Sequence, residues 1–363
     1  MRAIVMSEHG GPEVLRLVER PEPSSGAGEA LVRVAAVAVN RLDIWVREDV
    51  GHAYGATLPI VPGYDVAGEV IAVGEGVADV APGARVYVHY DFSCGRCRYC
   101  LEGDEAACAE YGVMGVNHEG GYAEQVVAPA RNLFALADGL SYETAAAAGS
   151  VYLTAYHMLF ARAGLRPGET MLVTAAGSGV GGAAIVLARY AGARVIATAS
   201  TEAKRERALA AGVEHAVDYT RAGWGAQVRR LTGGGGVDLV VDHVGAAAVP
   251  EALAALANNG RIVICGASSG PRVELDLIDL FARQISLIGS SDGSRRELWE
   301  ILRLLGDGLI DPPAIEAVLP LEDAARAQEL LATRAHYGRV LLAPSGRELN
   351  HRGQAPDGAW PQG

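Results

Sequence analysis

Four of the five cysteines in this 363-residue chain, Cys94, Cys97, Cys100 and Cys108, follow one another as C-x2-C-x2-C-x7-C. Four thiolates at this spacing, with small and turn-forming residues between them, can close a tetrahedral shell around Zn²⁺. A closed shell leaves no position for a substrate, so the expectation is one structural zinc per chain. An iron–sulfur cluster can use similar spacing, but nothing else in the sequence suggests electron transfer. The fifth cysteine, Cys265, stands alone in an apolar run and is expected to be inert core.

A second chemical signature lies further along. Met171-Leu172-Val173-Thr174-Ala175 reads as a buried strand, the turn Ala176-Gly177-Ser178-Gly179-Val180-Gly181 follows directly, and 182–190 continues as an alanine-rich helix. Glycines there let the backbone approach a pyrophosphate, whose charge the free amides and dipole of the helix start stabilise. Gly177, Ser178, Gly179, Val180 and Gly181 are therefore the expected dinucleotide cradle. Such sites place an acidic residue about twenty residues on, where it accepts from the adenosine ribose. Ala199 occupies that spot, and Ser200, Thr201, Lys204 and Arg205 follow. A 2′-phosphate meets no repelling acid and several donors, so NADP is favoured over NAD, although Glu202 and Glu206 dilute the positive field.

The elements that must hold these motifs fall into two textures. Residues 1–150 consist of short alternating Val- and Ala-rich runs broken by Gly and Pro, which signals β structure. Residues 151–308 alternate apolar strands, at 170–175, 194–198, 237–241, 261–265 and 285–289, with helical segments. That order implies βαβ units and a parallel sheet, an α/β fold. Residues 309–343 add a short apolar run, a helix near 321–332 and a last strand at 339–342, and are expected to return to the first domain. The Gly- and Pro-rich tail 344–363 is expected to be mobile. Half the residues are apolar and a fifth charged, enough for a large core in two domains. A net charge of −12 disfavours nucleic acid and anionic membrane surfaces, leaving a small-molecule partner. No leader-like or membrane-length apolar run is seen, so a cytoplasmic location is expected.

The four-cysteine lobe before a strand-turn-helix dinucleotide site resembles the medium-chain dehydrogenase/reductase superfamily, which includes zinc-type alcohol dehydrogenases and quinone oxidoreductases. The resemblance covers roughly residues 1–343. It rests also on Gly63-Tyr64-Asp65-Val66-Ala67-Gly68-Glu69-Val70 with Val73-Gly74, on Pro82-Gly83-Ala84-Arg85-Val86, and on Gly120-Gly121-Tyr122-Ala123-Glu124. It implies a GroES-like catalytic domain, a Rossmann domain, and a homodimer in which strands near 285–290 pair across a twofold axis. It places Thr154, Val244, Gly266, Ala267 and Ser268 beside the nicotinamide and Tyr219 near the adenosine.

The sequence departs from that pattern where alcohol dehydrogenases hold a catalytic zinc. The counterparts of the usual ligands are Asn40, Tyr64 and Ser150 or a close neighbour, and Leu42 replaces a proton-relay hydroxyl. None of these is a usual zinc ligand. Without a Lewis acid the substrate must be activated already, so the expected reaction is hydride transfer from NADPH to a conjugated C=C or a quinone. Tyr64 is the expected proton donor or oxyanion partner, positioned by Asn40 and Asp43, and Trp45 is expected to line the cleft or merely pack. Two alternatives stay open. One is alcohol or aldehyde chemistry, with Asp43, Asp65 and His118 recruiting a metal or with a metal-free relay. The other is a protein that binds NADPH without catalysis.

Overall fold

The computed structural model describes residues 1–50, 55–334 and 336–344. Residues 51–54 and the expected tail from 345 on lie outside the described residues. The second texture folds into a six-stranded parallel sheet ordered His215–Asp218, Arg194–Ala199, Thr170–Val173, Val237–Asp242, Leu256–Ile264 and Ser286–Gly289. The strand order reverses between Thr170–Val173 and Val237–Asp242, which opens a ligand crevice at the carboxyl ends of the strands. Residues alternate between two packed faces. Met171, Val173, Leu239, Val241 and Val263 join the main core, while Leu172, Val240 and Ile262 pack with Trp224, Val228 and Val249 on the other face. The edge strand His215–Asp218 was not legible beforehand, because it is short and starts on an exposed histidine.

The first texture forms a largely antiparallel sheet ordered Ile315–Pro320, Arg339–Ala343, Glu29–Ala38, Asp65–Val73, Arg85–Val88 and Leu133–Ala135, with Gln125–Pro129 also pairing Glu29–Ala38. Leu341 pairs Ala38 and Leu342 pairs Val37, so the C-terminal segment completes the first domain's sheet. One helix, Tyr142–Tyr156, runs through residue 150 and packs on strands of the first sheet and helices of the second unit. It is kinked at Gly149, where φ is −10° and ψ −105°. A Cβ on Gly149 would lie 2.3 Å from the Tyr87 hydroxyl and 2.4 Å from Asp65 Oδ1, so only glycine allows this approach. Among the described residues no helix is long and apolar enough to cross a membrane.

Candidate active site

A cleft of about 620 Å³ lies at the crevice, walled by the kinked helix, the glycine turn and the start of the last strand. The turn hangs from its neighbouring strand: the Ala175 amide donates to Thr198 Oγ1 at 3.1 Å and the Ala176 amide to the Thr198 carbonyl at 2.8 Å. Gly177, Ser178, Gly179 and Val180 line the cleft. Gly181 sits behind it, where a Cβ would lie 2.6 Å from the Ala175 carbonyl, so its absence permits close helix–strand packing. Ser178 is the N-cap of helix Gly179–Tyr190: its Oγ accepts from the Gly181 amide at 2.9 Å and meets His243 Nε2 at 2.7 Å. Burial keeps that imidazole below its ordinary pKa. The first-turn amides of Gly179 and Val180 precede any intrahelical acceptor and suit a pyrophosphate.

At the end of the cleft where the adenosine is expected, Ala199, Ser200, Lys204 and Tyr219 line the wall. Thr201 does not; its hydroxyl caps helix Glu202–Ala210 by accepting from the Lys204 amide. Lys204 Nζ donates to the Arg334 carbonyl at 2.8 Å and, with three protons, keeps donors for a ligand. Arg205 turns to Asp218 at 3.5 Å. At the other end Thr154, Val244, Gly266 and Ser268 line the cleft, and Ala267 packs beneath Gly245. Cys265, expected to be core, stands in the cleft wall, and burial pushes its thiol up to about 12, so it stays neutral.

Among the positions expected to correspond to catalytic-zinc ligands, Asn40 and Ser150 join a hydrogen-bonded knot on Asp65, which is fully buried. Its Oδ1 accepts from the Tyr87 hydroxyl at 2.8 Å and from the Ser150 amide, freed by the Gly149 kink, at 2.7 Å. Its Oδ2 accepts from Ser150 Oγ at 2.6 Å, Asn40 Nδ2 at 2.9 Å and Arg339 Nη2 at 2.9 Å. Arg339 Nη2 also donates to Asn40 Oδ1 at 2.9 Å. The one anionic donor is saturated, a guanidinium supplies its counter-charge, and Asn40, Tyr64 and Ser150 are poor zinc ligands. A catalytic zinc does not fit this donor set.

Tyr64 borders the knot, lines the cleft and packs edge-on against Tyr90 with ring centroids 5.0 Å apart. Burial and the charges of Asp65 and Asp43 hold its pKa well above that of a free tyrosine, so it is an O–H donor rather than a base. Among the described residues no protein group bonds its hydroxyl. Asp43 does not reach the cleft. It forms a capping box at the start of helix Arg41–Arg47, accepting from the Asn40 amide at 2.7 Å and the Tyr122 hydroxyl at 3.2 Å. It is joined to the cleft only through Asn40, whose amide it holds and which lines the cleft. Trp45 and Leu42 line the cleft. His118 stacks on Phe92 at 3.8 Å and Glu119 pairs with Arg20 at 2.9 Å, away from the cleft. Arg339 was missed from sequence; the available signal was an arginine opening the otherwise apolar strand Arg339–Ala343.

The thiols of Cys94, Cys97, Cys100 and Cys108 all lie within 4.8 Å of one another, the one such group of three or more His, Cys, Asp or Glu donors among the described residues. Asp43, Asp65 and His118 do not form another. Amides of Arg96 and Cys97 donate to the Cys94 sulfur and hold its thiol down to about 6, a preformed thiolate environment that fits zinc.

The zinc-binding dehydrogenase family matches residues 179–307, and the alcohol dehydrogenase GroES-like domain matches residues 26–138. The chain is 30% identical to a quinone oxidoreductase of Rattus norvegicus, over 94% of this chain and 97% of that one. It is 31% identical to an NAD-dependent alcohol dehydrogenase of Sulfolobus acidocaldarius, over 94% and 99%. A crystal structure of an NAD-dependent alcohol dehydrogenase superposes with a TM-score of 0.91 at 46% identity, over 95% of this chain and all of that one. With the glycine turn at a parallel-sheet switch point and a GroES-like domain closing over it, the chain belongs to the medium-chain dehydrogenase/reductase superfamily and is a nicotinamide-dependent oxidoreductase.

Proposed function

We propose that this enzyme reduces an activated acceptor, a conjugated C=C or a quinone, with NADPH and without a catalytic zinc. The observation that carries the reading is the Asp65 knot, in which hydrogen bonds and Arg339 fill the coordination space of the metal. Bound NADPH supplies the hydride. The glycine turn would hold its pyrophosphate, and Lys204 and Ser200 would take its 2′-phosphate, with Arg334 in the same wall. Charge developing on the acceptor oxygen would be met by the Tyr64 hydroxyl, a neutral donor in the cleft wall. Asn40, pinned by Asp43, Asp65 and Arg339, keeps the tyrosine's neighbourhood rigid.

A second reading, alcohol oxidation with NAD, is favoured by the 46% identity to an NAD-dependent alcohol dehydrogenase. It requires a polarising group that the knot does not offer. A panel of enones, quinones, aldehydes and alcohols, followed by nicotinamide absorbance, separates the two. Reduction of enones or quinones, slowed by Tyr64→Phe, supports the first; turnover only of simple alcohols or aldehydes, dependent on a second removable zinc, overturns it. NADPH binding with no turnover on any acceptor would favour a binding protein. The structural metal of the cysteine lobe is read as zinc. The enzyme is read as a cytoplasmic homodimer: among the described residues the edge strand Ser286–Gly289 has no strand partner on its outer side, and Leu277, Ile278, Phe281 and Leu287 are exposed nearby.

A further inference from the structure

Ser178 and His243 reach the cleft from two strands that pair at the switch point: Ser178 stands in the glycine turn after Thr170–Val173, and His243 follows Val237–Asp242. Their side chains meet at 2.7 Å, between Ser178 Oγ and His243 Nε2. The protons of this pair can be counted. Burial holds the imidazole below its ordinary pKa against the opposing charge of Asp242, so the ring is neutral and carries one N–H. The serine carries one O–H. The contact at 2.7 Å uses one of these protons and leaves the other.

Among the described residues no protein acceptor takes the remaining proton. His243 Nδ1 is buried without a partner. Asp242 spends Oδ1 on the Thr174 hydroxyl and Oδ2 on the Gly245 amide, each at 2.8 Å. Two arrangements follow. With the imidazole proton on Nδ1, Ser178 donates to Nε2 and a buried N–H goes without an acceptor, which is costly. With the proton on Nε2, His243 donates to Ser178 Oγ, which also accepts from the Gly181 amide at 2.9 Å. Both lone pairs of that oxygen are then filled, and its own proton is free at the start of helix Gly179–Tyr190. An anion at the helix start selects the second arrangement, because the first offers it lone pairs and the second offers it a donor.

We propose that His243, by donating its Nε2 proton to Ser178, frees the capping serine's hydroxyl to bind the cofactor pyrophosphate beside the Gly179 and Val180 amides. Ser178 is the binding residue and His243 the residue that positions it. The serine thus serves twice, its oxygen closing the helix and its proton meeting the phosphate. The inference rests on a dinucleotide bound at the glycine turn. It depends neither on the acceptor nor on the choice between NADP and NAD, since the pyrophosphate is common to both.

Fluorescence titration and nitrogen-15 NMR test this, and neither needs a substrate. Ser178→Gly keeps a residue that helices tolerate at the N-cap. It should weaken NADPH and NADH alike by about 10- to 100-fold, the worth of a charge-assisted bond, and leave adenosine 2′-monophosphate, which has no pyrophosphate, within about twofold. His243→Phe should weaken both dinucleotides by about two- to tenfold, the worth of a neutral bond. His243→Gln, whose side-chain amide can replace the Nε2 donor, should recover most of that loss. In the Ser178→Gly background His243→Phe should cost nothing further, because its effect runs through the serine. In the protein saturated with NADPH, the His243 ring should show a protonated Nε2 and a bare Nδ1. A proton on Nδ1 in that complex, losses that add in the double variant, or unchanged dinucleotide affinity in Ser178→Gly each overturns the inference.

Discussion

Pairing the substitutions Asp65→Asn and Arg339→Met measures whether the knot is held by charge or by shape. In Asp65→Asn the amide oxygen can keep the Tyr87 and Ser150 amide bonds, but the new NH2 group confronts Asn40 Nδ2 and Arg339 Nη2, both donors. Arg339, 4% exposed, is left without its anion, and its Nε already lacks a partner. Breaking a buried pair in this way costs about 3–5 kcal/mol. Arg339→Met leaves four neutral donors on Asp65 and removes the guanidinium's bond to the carboxylate, worth about 1.5–3 kcal/mol, together with its bond to Asn40 Oδ1. The double variant removes both charges together, so its cost should fall short of the sum by about 2 kcal/mol or more. At about 2.1 cal/mol/K per residue, the Asp65→Asn loss lowers the Tm of this 363-residue chain by about 4–7 °C if it melts as one unit. Urea denaturation of the four proteins, followed by far-ultraviolet circular dichroism, supplies the cycle. Additivity within about 0.5 kcal/mol would show that the carboxylate and guanidinium are not coupled and would refute the account of the Asp65 knot.

Atomic absorption should find about one zinc per chain, lost in Cys100→Ser with a fall in thermal stability; two tightly held zincs would contradict the Asp65 geometry. Lys204→Ala should weaken NADPH binding about 10- to 100-fold, the worth of a charge-assisted bond, and leave NADH within about twofold; equal losses for both, read by fluorescence titration, would remove the case for NADP. Burial pushes Asp43 up to about 7 against 3.8 for an unperturbed group. A raised carboxyl pKa gives stability that is complete below the unfolded value and lost as pH rises through the folded one. The stability of wild type relative to Asp43→Asn should therefore decline from about pH 4 to pH 7, by at most roughly 4 kcal/mol. A flat difference across that range would show that Asp43 is ionised throughout.

Two kinds of information were written in the chain. The zinc lobe and the cofactor turn depend on neighbours a few residues apart, and local spacing alone fixes which thiols can share an ion and which glycines open a helix. The alternation of strand and helix likewise implied the parallel sheet, since each apolar run must bury itself against the next. The residue types at Asn40 and Tyr64, neither a usual zinc ligand, were readable in the same way.

Tertiary structure decided what filled the space. Arg339 reaches Asp65 across 274 positions of sequence, and Tyr111 reaches Asp292 across 181, and no periodicity relates them. It also sorted residues that looked alike. Thr201 spends its hydroxyl on a helix cap while Ser200 faces the cleft, and Asp43 caps a helix while Asp65 anchors the knot. A side chain's type states which bonds it can make; only the packing of two domains and the returning C-terminal strand settles which partners arrive.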